Sequence, residues 1–387
     1  MAEIEIGRGK SGRRAYGFDD IAIVPSRRTR DPEDIDISWE LDAYRFELPL
    51  MAAAMDGVVS PATAIAIGRL GGVGVLNLEG IWTRYDDPDS ILEEIASLEP
   101  DKATARMQQI YTEPIKEELI VERIREIKEA GVIACASLTP QRTARYSKLL
   151  VQADLDLFVC QGTVVSAEHV SKNAEPLNLK RFIREFEIPV IVGGTASYQA
   201  ALHLMRSGAV GILVGVGPGH ACTSRGVLGV GVPQATAIAD ARAARAQHLD
   251  ETGVYVQVIA DGGMATGGDI AKAIVCGADA VMIGSPLAAA EEAPGRGYHW
   301  GMATFHTDLP RGARIETATR GSLAEIITGP AHENDGRTNL FGALRTSMAT
   351  TGYETVKEFQ KAEIMVAPAL MTEGKELQRE QHVGMGR

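Results

Sequence analysis

Four cysteines, eight histidines and several glycine-rich loops are the parts of this 387-residue chain whose types and spacing could carry chemistry. Cysteine matters most, because its thiolate is a strong nucleophile wherever nearby dipoles or cations lower the cost of its charge. Cys135 and Cys160 fall inside short apolar runs, and Cys276 precedes a glycine stop on a helical stretch. All three read as small buried hydrophobes. Cys222 differs, because it lies in GVGPGHACTSRG (215–226), at the end of the apolar run AVGILVGVG (209–217). Backbone N–H groups in such a loop can stabilise a thiolate, and Arg225 brings positive charge close by. Position alone leaves Cys222 two readings, a nucleophile or an inert loop cysteine. The first predicts that it is the accessible, reactive thiol of the four.

The same loop contains G-x-G-x-G, but Pro218 and Gly219 interrupt the G-x-G-x-x-G pattern. It reads as a loop that needs positive φ rather than as a dinucleotide fingerprint. IADGGMATGGD (259–269) and IGSP (283–286) each follow an apolar run. Gly262, Gly263, Gly284 and Ser285 could bring backbone N–H groups onto a phosphate. Asp261 is either a ribose ligand or a turn former before Gly-Gly. The histidines show neither H-E-x-x-H nor a Cys/His zinc spacing, and Glu291-Glu292 reads as a solvated face.

Eight apolar runs would position these loops. They are LPLMAAAM (48–55), GVGVLN (72–77), VIACASL (132–138), LDLFVCQ (155–161), IPVIVGG (188–194), AVGILVGVG (209–217), VYVQVIADGG (254–263) and ADAVMIG (278–284). They are apolar throughout rather than alternating, as strands covered on both faces should be. Helical stretches such as PATAIAIGRL and SYQAALHLMRSGA lie between them. Eight βα units predict an α/β fold, a closed (β/α)8 TIM barrel over residues 1–387, with an open doubly wound sheet as the alternative. Two stretches break the rhythm. Residues 78–115 form a short insertion, and residues 285–350 form a long polar segment on the catalytic side, expected to act as a flap.

Composition narrows the classes. The net charge is −12, from 39 Lys plus Arg against 51 Asp plus Glu, so no basic stripe invites nucleic acid. A hydrophobic share of 45% with 23% charged residues is globular. The N-terminus has no apolar signal core, and no uncharged stretch reads as a membrane span. Four cysteines without close pairing fit a reducing, cytoplasmic setting.

GFDDIAIVPSRRT (17–29), PLMAAAMDG (49–57), the Cys222 loop with its continuation to 237, the segment 259–295 and GMAT (301–304) together resemble the IMP dehydrogenase / GMP reductase family. The resemblance implies a (β/α)8 barrel, a homotetramer or octamer, a purine nucleoside monophosphate as substrate and NAD as cofactor. It implies that Cys222 attacks purine carbon 2, with Ser224 and Arg311 as further catalytic residues. It places Met55, Asp261, Gly262, Gly263, Gly284, Ser285, Gly301 and Met302 at the substrate. Gln161, Gly194, Gly215 and Gly217 fall at the cofactor, and the carbonyls of Gly217, Gly219 and Cys222 at a potassium site.

The chain departs from the family pattern at named positions. Residues 78–115 are too short for the regulatory CBS modules most IMP dehydrogenases carry there. His220 replaces a phosphate-binding serine, Ser224 a threonine, Gln161 an aspartate that contacts nicotinamide, and Gly194 an asparagine. Arg311 stands where a Glu or Gln meets the purine, and residues 303–320 lack the usual Arg-Tyr pair, leaving His306, Arg311 and Arg314 to manage water. The resemblance therefore implies NAD-dependent oxidation of IMP to XMP. GMP reductase using NADPH, or a non-catalytic nucleotide-binding paralogue, are the alternatives.

Overall fold

The eight apolar runs become the eight strands of a closed parallel barrel in the computed structural model, which describes residues 3–172, 176–370 and 372–386. In chain order they are β1 (Leu50–Ala52), β2 (Val73–Asn77), β3 (Cys135–Leu138), β4 (Leu157–Gln161), β5 (Val190–Thr195), β6 (Gly211–Val214), β7 (Gln257–Asp261) and β8 (Ala280–Ile283). Each pairs with the next, and β8 returns to β1 with Met282 beside Met51. That closure excludes the open doubly wound sheet.

The barrel explains why the runs are apolar throughout. Alternate residues point inward and outward along every strand. Met51, Val75, Cys135, Val159, Leu213 and Met282 fill the lumen. Leu76, Ala136, Phe158, Cys160, Ile212 and Val281 pack against the helices. A hairpin, Trp39–Leu41 with Tyr44–Phe46, plugs the N-terminal mouth, and its Trp39 and Phe46 rings stack at 5.2 Å.

The helices among the described residues are α1 (Pro61–Arg69), α2 (Pro88–Ser97), α3 (Pro100–Ile110), α4 (Glu117–Glu129), α5 (Pro140–Gln152), α6 (Leu179–Glu185), α7 (Tyr198–Met205), α8 (Ser224–Leu228), α9 (Gln234–Thr252), α10 (Gly267–Cys276), α11 (Ser285–Ala288), α12 (Leu323–Ile327), α13 (Leu340–Thr350), α14 (Val356–Phe359) and α15 (Glu376–Glu380). Local chemistry sets their ends. Ser60 caps α1 by accepting from the Thr63 N–H, with Pro61 in the first turn. Thr266 and Asp269 form a capping box on α10. Among the described residues, no helix is long and apolar enough to cross a membrane.

The two stretches that break the rhythm have definite structures. The 78–115 insertion folds as the helix pair α2–α3. Segment 285–350 is not one flap: α13 packs on α10, and the part over the barrel mouth is narrower. It is a loop rooted in the ribbon of Tyr298–His299 with Ile315–Glu316.

Charge at the N-terminal face serves stability. Asp279, at the start of β8, accepts from Arg245 (2.5 Å), Lys357 (2.6 Å), Tyr255 (2.8 Å), Gln360 (2.9 Å) and the Val258 N–H (2.8 Å). Burial would push its carboxyl up, but Arg245 and Lys357 outweigh that and hold it below the usual carboxylate range. Asp279→Ala would strand the buried Arg245, so urea unfolding should show a loss of about 3–5 kcal/mol. A loss below about 1 kcal/mol would show that Arg245 finds another partner.

Candidate active site

The strands deliver their C-terminal ends to one mouth, and a cavity of about 180 Å³ opens there. Met55 lines it from the loop after β1, Gln161 from the end of β4, and Gly215, Gly217, Gly219, Cys222 and Ser224 from the segment after β6. Asp261, Gly262 and Gly263 enter from β7, Gly284 and Ser285 from β8, and Gly301, Met302 and Arg311 from the flap. Residues spread over 250 positions thus share one wall because every parallel strand ends on the same face. Gly194 is the exception. It does not line the cavity, and its backbone bonds Gly162 and Val165 behind it.

Glycine is required where backbones close in. A Cβ on Gly215 would stand 2.1 Å from the Asp261 carbonyl, so the β6 and β7 ends could not approach. Gly262 and Gly263 adopt φ of +79° and +80° to turn the chain after Asp261. Among the described residues, no oxygen accepts from the backbone N–H groups of Gly263, Gly284 or Ser285.

Cys222 is partly exposed, and its thiol donates to Ser224 Oγ at 3.4 Å. Cys135, Cys160 and Cys276 are buried, and burial pushes the Cys160 and Cys276 thiols up to about 12 and Cys135 further. Arg225 is a brace more than a charge donor. It donates to the carbonyls of Val216 (3.4 Å) and Val232 (2.8 Å) and packs against Gly217 and Gly231. The flap is stitched to the cysteine loop by its backbone. Thr223 N–H donates to the Arg311 carbonyl (3.0 Å), Ala313 N–H donates to Ala221 (2.9 Å), and Cys222 bridges Gly312.

Of the three flap groups expected to manage water, only Arg311 reaches the cavity. His306 Nδ1 accepts from Asp308 and Leu309 N–H groups in a turn, and Arg314 donates to the carbonyls of Ile95 and Leu98. The sequence reading missed His299. This residue is 1% exposed, with Nε2 2.7 Å from Ser285 Oγ and Nδ1 2.7 Å from Thr317 Oγ1. Burial, then the nearby His220, pulls it down to about 4, so it is neutral near pH 7 and orients the serine. Its place directly before Trp-Gly-Met was the available signal.

Asp261 is partly buried at the cavity floor. Burial pushes its carboxyl up to about 7, against a hydrogen bond from Gln161 Nε2 at 3.3 Å. Among the described residues, Gln161 Oε1 is itself buried without a partner. Between about pH 4 and 7 the folded protein therefore holds a proton at Asp261 that the unfolded chain has released. This contribution to stability falls as pH rises across that window and levels off above it. Melting temperatures of wild type and Asp261→Asn should diverge steadily from pH 4.5 to 7.5, the wild type losing ground. Parallel curves would show that Asp261 is ionised throughout.

Comparison with known proteins meets this geometry. The family model for the IMP dehydrogenase / GMP reductase domain matches residues 15–382. An uncharacterized oxidoreductase of Mycolicibacterium smegmatis is 48% identical over 94% of this chain and 99% of its own length. The inosine-5'-monophosphate dehydrogenase of Methanocaldococcus jannaschii is 26% identical over 90% of this chain and 92% of its own. The crystal structure of an IMP dehydrogenase/GMP reductase-like protein from Corynebacterium glutamicum superposes with a TM-score of 0.90 at 44% identity, covering 94% of this chain and 97% of that one. The match over residues 15–382 shows that the chain is an oxidoreductase of the IMP dehydrogenase / GMP reductase family.

Proposed function

We propose that this protein oxidises IMP to XMP with NAD, through a covalent bond between Cys222 and purine carbon 2. The observation that carries the reading is the convergence of the Cys222 thiol, Asp261 and three unpaired backbone donors on one cavity. The N–H groups of Gly263, Gly284 and Ser285 hold the phosphate, with Gly262 setting the turn. Asp261 takes the ribose hydroxyls. Met55, Gly301, Met302 and Arg311 enclose the base.

The Cys222 sulfur adds to carbon 2 as the thiol proton leaves to solvent, and the hydrogen on that carbon departs with its electron pair. NAD, when bound, supplies the acceptor for that hydride. Gln161 Oε1, buried without a partner, suits a carboxamide N–H donor, and Gly215 and Gly217 leave the backbone open on that side. Gly194 supports this wall from behind. Water then adds to the thioimidate, the carbon–sulfur bond breaks, and the thiol returns. Ser224 Oγ beside the sulfur and Arg311 in the cavity wall are the groups placed to hold that water. A monovalent cation would be held by the carbonyls of Gly217, Gly219 and Cys222: among the described residues those of Gly217 and Cys222 accept no hydrogen bond, and that of Gly219, which accepts the Cys222 N–H at 3.0 Å, keeps a second lone pair. No step is assigned to a cation.

GMP reduction with NADPH is the second reading, favoured by the absence of an Arg-Tyr pair in the flap. Absorbance at 340 nm decides between them, with IMP plus NAD and GMP plus NADPH run side by side, each with and without potassium. Steady NADH formation with IMP supports our reading. NADPH oxidation with GMP and none with IMP would replace it. A single burst of NADH would mean that the thioimidate forms and is not hydrolysed. Tight nucleotide binding with silence in both assays would point to a non-catalytic nucleotide-binding protein. The exposed Val227, Leu228 and Val230 beside the cysteine loop support self-association; four or eight copies is what the family resemblance implies, and sedimentation would test it.

A further inference from the structure

The helix pair α2–α3 has no part in the proposed chemistry, yet it meets the flap at its root, its middle and its far side. At the root, Trp300 Nε1 donates to the Tyr111 hydroxyl at 2.7 Å. That hydroxyl donates to Asp56 Oδ2 at 2.5 Å, and the same oxygen accepts the Ile81 N–H at 2.9 Å. Asn77 Nδ2 reaches Asp56 Oδ1 at 3.4 Å. In the middle, the Phe305 ring stacks on Tyr111 with centroids 4.0 Å apart and planes within 5°. Beyond it, Gln108 Nε2 donates to the carbonyls of His306 (2.9 Å) and Thr307 (3.2 Å). On the far side Arg314 donates to the Leu98 carbonyl at 2.7 Å and to that of Ile95 at the end of α2.

Both ends of the buried chain lie next to the cavity. Met55 precedes Asp56, Gly301 follows Trp300, and both neighbours line the wall. Tyr111 and Trp300 are themselves buried, so their hydroxyl and indole N–H must be paired for the packing to hold. The flap's other attachment is the backbone pairing at 311–313 with the cysteine loop. The polar stretch 306–310 between them is mostly exposed and has little apolar burial of its own.

From these contacts we infer that α2–α3, closed by Tyr111, is a dock that holds the flap down over the cavity. Tyr111 and Gln108 are positioning residues in it. They touch no reacting atom and act by setting the fraction of time Arg311 and Gly301–Met302 stand in the cavity wall. In terms of the proposed reaction, which this inference deepens, the dock governs how well the covalent intermediate is shielded and its water placed. The element that fills the β2–α4 connection is thereby a control point for the site on the barrel mouth.

Limited trypsin digestion tests this without any assay of turnover, because Arg311 and Arg314 are cleavage sites inside the flap. Tyr111→Phe removes both hydroxyl hydrogen bonds and keeps the ring stack, and Gln108→Ala removes only the clamp on the 306–307 carbonyls. Each variant should cut at Arg311 or Arg314 about tenfold faster than wild type and the double variant faster still; melting should be unchanged in Gln108→Ala and fall modestly in Tyr111→Phe, with cleavage elsewhere in the barrel unchanged in both. Unchanged cleavage in Gln108→Ala and Tyr111→Phe would overturn the inference. So would faster flap cleavage that only tracks a fall in melting temperature and cleavage elsewhere, since Tyr111 would then be ordinary core. If the protein turns over IMP, the variants should lose kcat before nucleotide affinity. If it does not, the proteolysis still decides the dock, and the failure belongs to the proposed reaction.

Discussion

Replacing Cys222 by alanine should abolish steady turnover, by at least about a thousandfold, while leaving nucleotide affinity within a few fold. The reason is that the thiol makes a bond in the reaction, whereas the binding groups at Asp261, Gly263, Gly284 and Ser285 are on other strands. The barrel should not notice the change, because Cys222 sits partly exposed in a surface loop. Iodoacetamide gives the companion result. Cys135, Cys160 and Cys276 are buried with their thiols pushed up, so Cys222 should be labelled first in the folded protein, and bound IMP should protect it. Mass spectrometry of tryptic peptides reads the site. Equal labelling of all four cysteines, or turnover preserved in Cys222→Ala, would remove the nucleophile from the proposal.

The nucleoside monophosphate should bind at least about a hundredfold more tightly than the nucleoside. Hydrogen bonds to a charged group contribute about 1.5–3 kcal/mol each, and two of them account for that ratio. Gly263, Gly284 and Ser285 offer three such donors, and none is engaged elsewhere among the described residues. Ser285 adds a hydroxyl whose direction His299 sets at 2.7 Å. Because burial holds His299 near 4, the selectivity should not weaken between pH 6.5 and 8 through that histidine. Calorimetric titration of IMP and inosine measures the ratio, and inosine within tenfold of IMP would contradict the phosphate assignment. His220, standing where relatives are expected to carry a serine, faces the same end of the cavity.

Much of the fold was legible from residue order because it depends on local chemistry. The eight apolar runs read as strands covered on both faces, and each overlaps a barrel strand, from Leu50–Ala52 to Ala280–Ile283, with Val190–Thr195 reaching one residue past its run. A strand with helices outside and a packed lumen inside has no polar face to show, so a continuous apolar run is its signature. Cys135 and Cys160 are buried for the same reason, and Cys276 is buried on α10. The glycine loops were legible because left-handed backbone and close approach exclude side chains, as at Gly262, Gly263 and Gly215.

What residue order could not determine is which distant groups meet. By itself the sequence determined eight βα units, a cysteine in a glycine-rich loop and an Asp-Gly-Gly turn, each set by contacts within about a dozen residues, whereas closure of the barrel, with Met282 beside Met51, was decided by the tertiary structure. Only the tertiary structure decided that Arg225 braces carbonyls, that Arg311 alone of the flap cations reaches the cavity, and that Gly194 stands behind it. It also decided the pairings of His299 with Ser285 and Thr317, and of Tyr111 with Asp56 across 55 positions. Side-chain partnerships of this kind depend on where the strand ends and long loops converge in space, and periodicity along the chain carries no record of that convergence.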